Sequence, residues 1–198
     1  MIHPDKIFGR LGNRMFQMAA LLSATDTSHT GNWFFQDEAF FSTIAPQIRK
    51  LYGQNIGSVP YVAIHVRRGD YLDPAKGGWH TNLCATDYYW QAIGMFPDAH
   101  FLVFSDDILH CIRYFGATRT TPTGAHCFQY SERLTDIEDL NLMASCHGHI
   151  IANSSFSWWG AWLSPHGGPV IAPREDRWTK DGIAHCKLPK HWRQIDFK

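Results

Sequence analysis

The sequence of 198 residues has little charge: Lys and Arg together number 18, Asp and Glu number 18, and the formal net charge is zero. A neutral chain lacks the positive surface field that nucleic-acid binding usually needs, so any anion site must be a local cluster of cations. With 44% hydrophobic residues, the composition is typical of a folded globular protein and not of a disordered one.

Long apolar runs and paired cysteines are also lacking. No uncharged apolar stretch reaches the length of about 18 residues that a membrane span needs, and residues 1–6 do not begin an apolar signal sequence. The five cysteines contain no C-x-x-C pair, and the twelve histidines show no zinc-site spacing. These absences predict no integral membrane segment, no zinc site, no disulfide framework and a reducing, cytoplasmic location.

Two nucleotide-binding signatures are missing as well. The sequence contains neither a Walker motif nor G-x-G-x-x-G, which excludes a P-loop and argues against a nicotinamide cofactor. What is present is an alternation of short apolar runs with helical patterns, which predicts an α/β fold with a doubly wound sheet. The predicted strands are residues 6–8, 61–66, 100–105, 149–152 and 169–172, and the predicted helices are residues 15–24, 40–52, 88–95, 108–114, 139–146 and 156–163.

In such sheets ligands bind beyond the carboxyl ends of the strands, and polar residues follow the strands here. His65, Arg67 and Arg68 lie at the end of one apolar run, just before Asp70. A guanidinium at this place can hold a diphosphate through two hydrogen bonds, while the other arginine braces a carboxylate such as Asp70. The alternatives are surface ion pairs for the arginines and a core position for His65.

A second polar group, Asn153, Ser154 and Ser155, ends another apolar run and begins a helix. Hydroxyls and backbone N–H groups at a helix start are suited to phosphate oxygens, and helix capping is the alternative role. The pair Asp106 and Asp107 is of the kind that holds a divalent metal, but capping of the next helix is the interpretation we favour.

Five motifs together resemble the α-1,2-fucosyltransferases of glycosyltransferase family 11. They are GRLGNRMFQ at 9–17, HVRRGDY at 65–71, FSDD at 104–107, DLNLMASC at 139–146 and NSSFSWWGAWL at 153–163. The resemblance implies an inverting, metal-independent transfer of fucose from GDP-fucose to a glycan hydroxyl, with α-1,2 linkage to galactose. It also implies two Rossmann-like halves that face a cleft, as in GT-B enzymes, and no cofactor besides the donor substrate. A homo-oligomer is left open.

The resemblance further implies roles for individual residues. Arg68 is expected on the diphosphate, with Arg67 in support, and Asp139 is expected at the guanosine. Ser154 and Ser155 are expected at the phosphates, and Arg10 and Asn13 reach the donor from the other half. His65, Asn153 and Phe156 belong to the same donor-binding motifs. No catalytic base is identifiable, because Asp70, the nearest carboxylate, would be weakened as a base by its ion pairing with the arginines.

One departure from the family concerns the N-terminal half. Only a few polar residues stand between Ala24 and Gly31, where the family has a long stretch. We therefore expect residues 1–58 to be a reduced acceptor-side domain and residues 59–198 to be the GDP-fucose-binding domain. The alternatives to a fucosyltransferase are a non-catalytic GDP-sugar or glycan-binding protein derived from the family and, less favoured, a metal-dependent enzyme that uses Asp106 and Asp107.

Overall fold

The structure, a computed structural model, describes residues 7–23, 34–76, 78–121, 124–132 and 135–198. Its centre is a seven-stranded sheet in the order β3-β4-β2-β1-β5-β6-β7. All neighbouring pairs are parallel except β3 with β4, which is antiparallel at one edge. The strands are β1 (Val59–Val66), β2 (His100–Ser105), β3 (Thr118–Thr121), β4 (Gly124–Tyr130), β5 (Cys146–Ile150), β6 (Val170–Pro173) and β7 (Arg193–Ile195).

Six α-helices accompany the sheet in the described part of the chain: α1 (Leu11–Leu22), α2 (Ala45–Tyr52), α3 (Tyr88–Ile93), α4 (Ile108–Phe115), α5 (Asp136–Ala144) and α6 (Ser155–Leu163). The predicted α/β class is thus confirmed. The described residues form one sheet, so the expected arrangement of two facing halves is not seen in them. None of the helices described is long and apolar enough to cross a membrane.

The alternation of side chains along β1 separates two apolar cores. Ile64 and Val66 pack with α3 and α4 on one face of the sheet. Ala63 packs with Met143 of α5 on the other face. Because successive side chains of a strand point to opposite faces, the side chains of the polar residues that follow β1 are also expected to alternate between these two faces.

Several predicted boundaries are wrong. The strand expected at residues 149–152 runs instead from Cys146 to Ile150, because α5 already ends at Ala144. Strands β3, β4 and β7 were missed, since their sequences TRTT, GAHCFQY and RQI lack a continuous apolar run. Of the strand expected at residues 6–8, residue 6 lies outside the described residues, and Ile7 and Phe8 are not in a strand.

The described residues on either side of residue 58 share a core. Phe16 of α1 and Ile48 of α2 are buried in the same cluster as Trp158 and Trp159 of α6. The three tryptophans of α6 are core residues, with exposures of 0% for Trp158 and Trp159 and 4% for Trp162. The domain boundary at residue 58 stays a prediction. The segment 24–31, where the shortening was expected, lies outside the described residues.

The start of α1 packs closely against the start of α6 at Gly12. A Cβ at this position would lie 2.6 Å from the backbone carbon of Ser155 and 2.7 Å from the backbone nitrogen of Phe156. The indole N–H of Trp159 also donates to the Gly12 carbonyl at 3.0 Å. The start of α1 therefore lies directly on the start of α6, and only glycine permits that contact.

We expect Gly12→Ala to destabilise the fold by about 1–3 kcal/mol, because the added methyl overlaps backbone that cannot shift. A loss of stability would be informative, because alanine in a helix is otherwise more favourable for folding than glycine by about 1 kcal/mol. Urea unfolding of both proteins measures the difference. The matched control is Gly57→Ala, whose Cβ would meet nothing closer than 3.8 Å. Equal stability of the Gly12 variant and the parent would contradict the packing described here.

A buried histidine couples the stability of the fold to pH. His149 of β5 is 2% exposed, and its Nε2–H donates to the Met143 carbonyl at 2.9 Å. Its Nδ1 has no hydrogen-bond partner among the described residues. Burial lowers the pKa of His149 to about 4, so the ring is neutral at neutral pH.

A histidine with a lowered pKa in the folded state makes the unfolded state bind more protons below pH 6.5. Stability should therefore be complete above pH 6.5 and fall as the pH approaches 4, by up to about 1.4 kcal/mol per pH unit for this group. Urea unfolding at several pH values should show a shallower pH slope for His149→Gln, whose amide can still donate to the Met143 carbonyl. An unchanged slope would show that His149 does not contribute.

Candidate functional site

A cavity of about 520 Å³ lies beyond the carboxyl ends of β2, β1 and β5. This is the edge of a parallel sheet at which ligands of α/β proteins bind. The start of α1 and the loops after β1, β5 and β6 close its sides. The predicted site residues that line it are Arg10, Asn13, His65, Arg67, Asp70, Asp139, Asn153, Ser154, Ser155 and Phe156.

Arg67 is the centre of an ionic cluster on the cavity wall. Its Nη1 lies 2.7 Å from Oδ2 of Asp106, and its Nη2 pairs with Oδ1 of Asp70. Asp70 also pairs with Arg10 at 3.4 Å. Arg67 is only 11% exposed, whereas Arg10 is 64% exposed. The cluster of Arg10, Arg67, Asp70 and Asp106 thus places two guanidinium groups at the cavity with carboxylates that fix them.

Arg68 is placed differently from the sequence-based expectation. Its Nε lies 3.2 Å from Oδ2 of Asp107, and its side chain is 14% exposed. It is not among the described residues that line the cavity, whereas Arg67 is. The cause is the alternation along β1, which directs residue 67 to the side of His65 and Phe156 and residue 68 to the side of α4. Arg67 therefore lines the cavity and also braces Asp70 and Asp106, whereas Arg68 pairs with Asp107 and is not among the lining residues.

Two helix starts meet at the cavity. Ser155 Oγ donates to the Asn13 side-chain oxygen at 2.7 Å, and this joins the first turns of α6 and α1. The amide of Gln36 donates to the same oxygen at 2.7 Å. Ser154 is the N-cap of α6, and its Oγ accepts from the Phe156 N–H. Because helix N-termini present unpaired N–H groups and partial positive charge, the junction of α1 and α6 favours an anion.

His65 lies in the cavity wall as a neutral group. It is 5% exposed, with its ring 5.4 Å from that of Phe156. Burial, aided by the positive charge of Arg67, lowers the pKa of His65 to about 3. Its Nδ1 has no hydrogen-bond partner among the described residues. The ring therefore offers hydrogen-bonding capacity without charge.

Asp139 lies at the β4 side of the cavity. It follows a capping box in which Thr135 Oγ1 accepts from the Glu138 N–H at 3.3 Å and the Thr135 N–H donates to Glu138 at 2.9 Å. Ser131, just after β4, donates to Oδ1 of Asp139 at 2.6 Å. Burial raises the pKa of Asp139, partly offset by that hydrogen bond. The second oxygen of this carboxylate is the feature that a ligand at this end can use.

Asn153 holds the opposite side of the cavity together. Its side-chain Nδ2 donates to the backbone carbonyls of Thr81 at 3.0 Å and Trp178 at 2.8 Å. The backbone carbonyl of Asn153 accepts from the Tyr71 hydroxyl at 3.0 Å. The Asn153 amide therefore fastens the loop after β1 to the loop after β6. In this structure the side-chain amide nitrogen of Asn153 is engaged with these two loops.

The two aspartates after β2 act separately. Asp107 accepts from the His110 N–H at 3.1 Å, so the predicted helix cap is confirmed. Asp106 is held by Arg67 and accepts from the Arg68 backbone N–H at 2.9 Å. Across the described residues, no group of three or more His, Cys, Asp or Glu side chains is arranged to hold a metal ion.

Sequence reasoning missed an aromatic stack in the cavity wall. The rings of Tyr71 and His80 are parallel within 6° at 3.6 Å, and the ring of Trp79 lies 3.6 Å from that of His80. Tyr71 belongs to a motif that was recognised, but Trp79 and His80 follow a loop and belong to none. No local pattern pointed to them, because the partners that hold them lie about one hundred residues away in the sequence.

Comparison with known proteins supplies the family. Residues 28–193 match the sequence profile of glycosyl transferase family 11. The chain is 31% identical over 182 residues to an alpha-1,2-colitosyltransferase of Escherichia coli, an alignment that covers 82% of this chain and 61% of the relative.

Two further relatives match a smaller part of the chain. The O-antigen biosynthesis glycosyltransferase WbnK of Escherichia coli is 33% identical over 57% of this chain and 38% of its own length. Galactoside 2-alpha-L-fucosyltransferase SEC1 of Bos taurus is 31% identical over 58% of this chain and 32% of its own length. This chain therefore spans less than two thirds of each of these three relatives. No solved structure gives a significant match. With most of its length matched by the family profile, the chain belongs to glycosyl transferase family 11.

Proposed function

We propose that this chain binds GDP-fucose and transfers the fucose, with inversion, to a galactose hydroxyl of a glycan. One observation supports this most strongly: in a family 11 chain, Arg67, whose side chain is 11% exposed, faces a cavity at which the first turns of α1 and α6 meet. Fixed guanidinium groups and helix starts are the groups that hold a diphosphate. The names of the relatives include both colitosyl and fucosyl transfer, and fucose is the sugar that the sequence motifs favour.

The order of the strands suggests how the donor lies. Asp139 follows β4, Arg67 follows β1, and Ser154 follows β5, so the three lie in that order along the sheet edge. In this proposal the guanosine binds near Asp139 and His65, and the diphosphate binds at Arg67, Arg10 and the start of α6. The transferred sugar then points toward the β6 side of the cavity.

The chemistry proposed is a single displacement. The acceptor oxygen forms a bond to the anomeric carbon as the bond from that carbon to the diphosphate oxygen breaks, and GDP leaves with the electron pair. Negative charge grows on the diphosphate, where Arg67, Arg10 and the helix starts stabilise it. Asp70 has both oxygens in ion pairs, which suits it to position the arginines and not to accept the hydroxyl proton.

The two-half arrangement remains part of the proposal. The described sheet is the donor half, and α1 supplies Arg10 and Asn13 from the N-terminal side of the cavity.

Titration calorimetry with GDP tests whether Arg67 or Arg68 contacts the diphosphate. We expect Arg67→Lys to weaken GDP binding by about tenfold or more, because a single ammonium cannot keep the two ion pairs, with Asp70 and Asp106, that hold the cation at the cavity wall. The matched control, Arg68→Lys, should change the affinity for GDP much less, since Arg68 is engaged with Asp107 away from the cavity. A larger loss of GDP affinity in Arg68→Lys than in Arg67→Lys would assign the diphosphate contact to Arg68.

Transfer is tested by following GDP release and product formation from GDP-fucose and a galactoside, with and without EDTA. We expect turnover to persist in EDTA, because arginines and helix starts neutralise the diphosphate in this proposal. Asp106→Asn should impair turnover equally in both conditions, through loss of the ion pair with Arg67. Strict Mn²⁺ dependence would contradict the arginine mechanism. GDP binding without any transfer would favour the non-catalytic binding protein.

A further inference from the structure

The aromatic stack of Tyr71, His80 and Trp79 has no part in the donor site proposed above, although all three line the same cavity. It begins at the donor arginine, since the Arg67 guanidinium carbon lies 5.4 Å from the centre of the Tyr71 ring. It ends at Trp79, which is 54% exposed. One face of the Trp79 indole is covered by His80, so the exposed part of a large, flat, apolar ring is presented beside the anion site.

The support of this ring is rigid. His80 forms a β-bridge with Thr179, and the Thr81 N–H donates to the Trp178 carbonyl at 3.1 Å. The Lys180 N–H donates to the Trp79 carbonyl at 2.9 Å, so the backbone on both sides of the stack is fixed to the loop after β6. An exposed tryptophan on a fixed backbone loses little freedom when a ligand covers it, which is the condition for a binding platform.

The position along the sheet edge indicates what the platform would bind. Trp79 is attached to the loop after β6, whereas Asp139 lies beside β4, with β2, β1 and β5 between them. The two groups are therefore at opposite ends of the cavity, with Arg67 between them. If the guanosine is at Asp139, the ring at Trp79 is on the side toward which the transferred sugar points.

We propose that Trp79 is the platform for the acceptor sugar, and that this sugar is a galactoside whose C–H face stacks on the indole. In a β-galactoside the axial 4-hydroxyl leaves three C–H groups on one face of the pyranose, which gives an apolar surface suited to an aromatic ring. The polar edge of the sugar then remains free to present a hydroxyl to the donor. This inference depends on the proposed transferase function, because it assigns the acceptor end of the same cavity.

The direct test is saturation-transfer NMR on the whole chain, with GDP and lactose present together. The expected result is transfer to the H3, H4 and H5 protons of galactose and, independently, to the guanine proton of GDP. In Trp79→Ala the lactose signals should be lost while the GDP signal persists, and Trp79→Phe should retain lactose signals above those of the alanine variant. Ile112→Ala, an exposed apolar residue of α4, is the matched control and should resemble the parent.

Steady-state kinetics gives a second test, because a purely structural role of Trp79 would not change KM for the galactoside alone. Trp79→Ala should raise KM for the galactoside by about tenfold with KM for GDP-fucose unchanged, as expected for one lost stacking contact. Lactose signals of equal size in Trp79→Ala and the parent, or loss of the GDP signal together with the lactose signal, would overturn the platform. A parent chain that binds GDP but not lactose overturns this inference alone, whereas a parent that binds neither overturns the proposed function as well.

Discussion

The site depends on the fixation of one guanidinium group, that of Arg67, by two carboxylates. Arg67 follows β1, Asp106 follows β2, Asp70 lies in the loop after β1, and Arg10 precedes α1. The ion pairs among these residues join the two central strands to the first helix at a single point. Opposite charges balance within the cluster, which permits an arginine to be 11% exposed at a cavity wall. An incoming diphosphate would find its cation already oriented.

Much of this arrangement is readable from the sequence, because the rules involved are local. The apolar runs at β1 and β2, the helix starts at Asp107 and Ser154, and the polar residues at strand ends were all predicted from neighbouring residues. The same local rule also distinguishes the two arginines. Since Ala63 and Ile64 lie on opposite faces of β1, residues 67 and 68 diverge as well, and only the assignment of faces required the structure.

What the sequence could not supply are contacts between distant segments. The bond from Ser155 to Asn13 joins residues 142 positions apart, and the bridge from His80 to Thr179 likewise connects remote loops. Strand β4 was missed for a related reason, since its mixed residues are stabilised by pairing with β2 and not by an apolar run of their own. Pairing and packing of this kind depend on the whole fold and leave no local pattern.

These distant contacts also explain why the cavity has two unlike ends. On the β4 side, the half-buried carboxylate of Asp139 and the neutral ring of His65 offer hydrogen bonds, which suits a planar base. On the β6 side, Trp79 and His80 offer a flat apolar surface with exposed edges, which suits a sugar ring. The cations lie between the two ends, so in the proposed complex the base and the diphosphate of the donor occupy the β4 side and the centre of the cavity. The β6 side is then left for the acceptor sugar, and the two substrates meet beside the diphosphate, where the bond to the transferred sugar breaks.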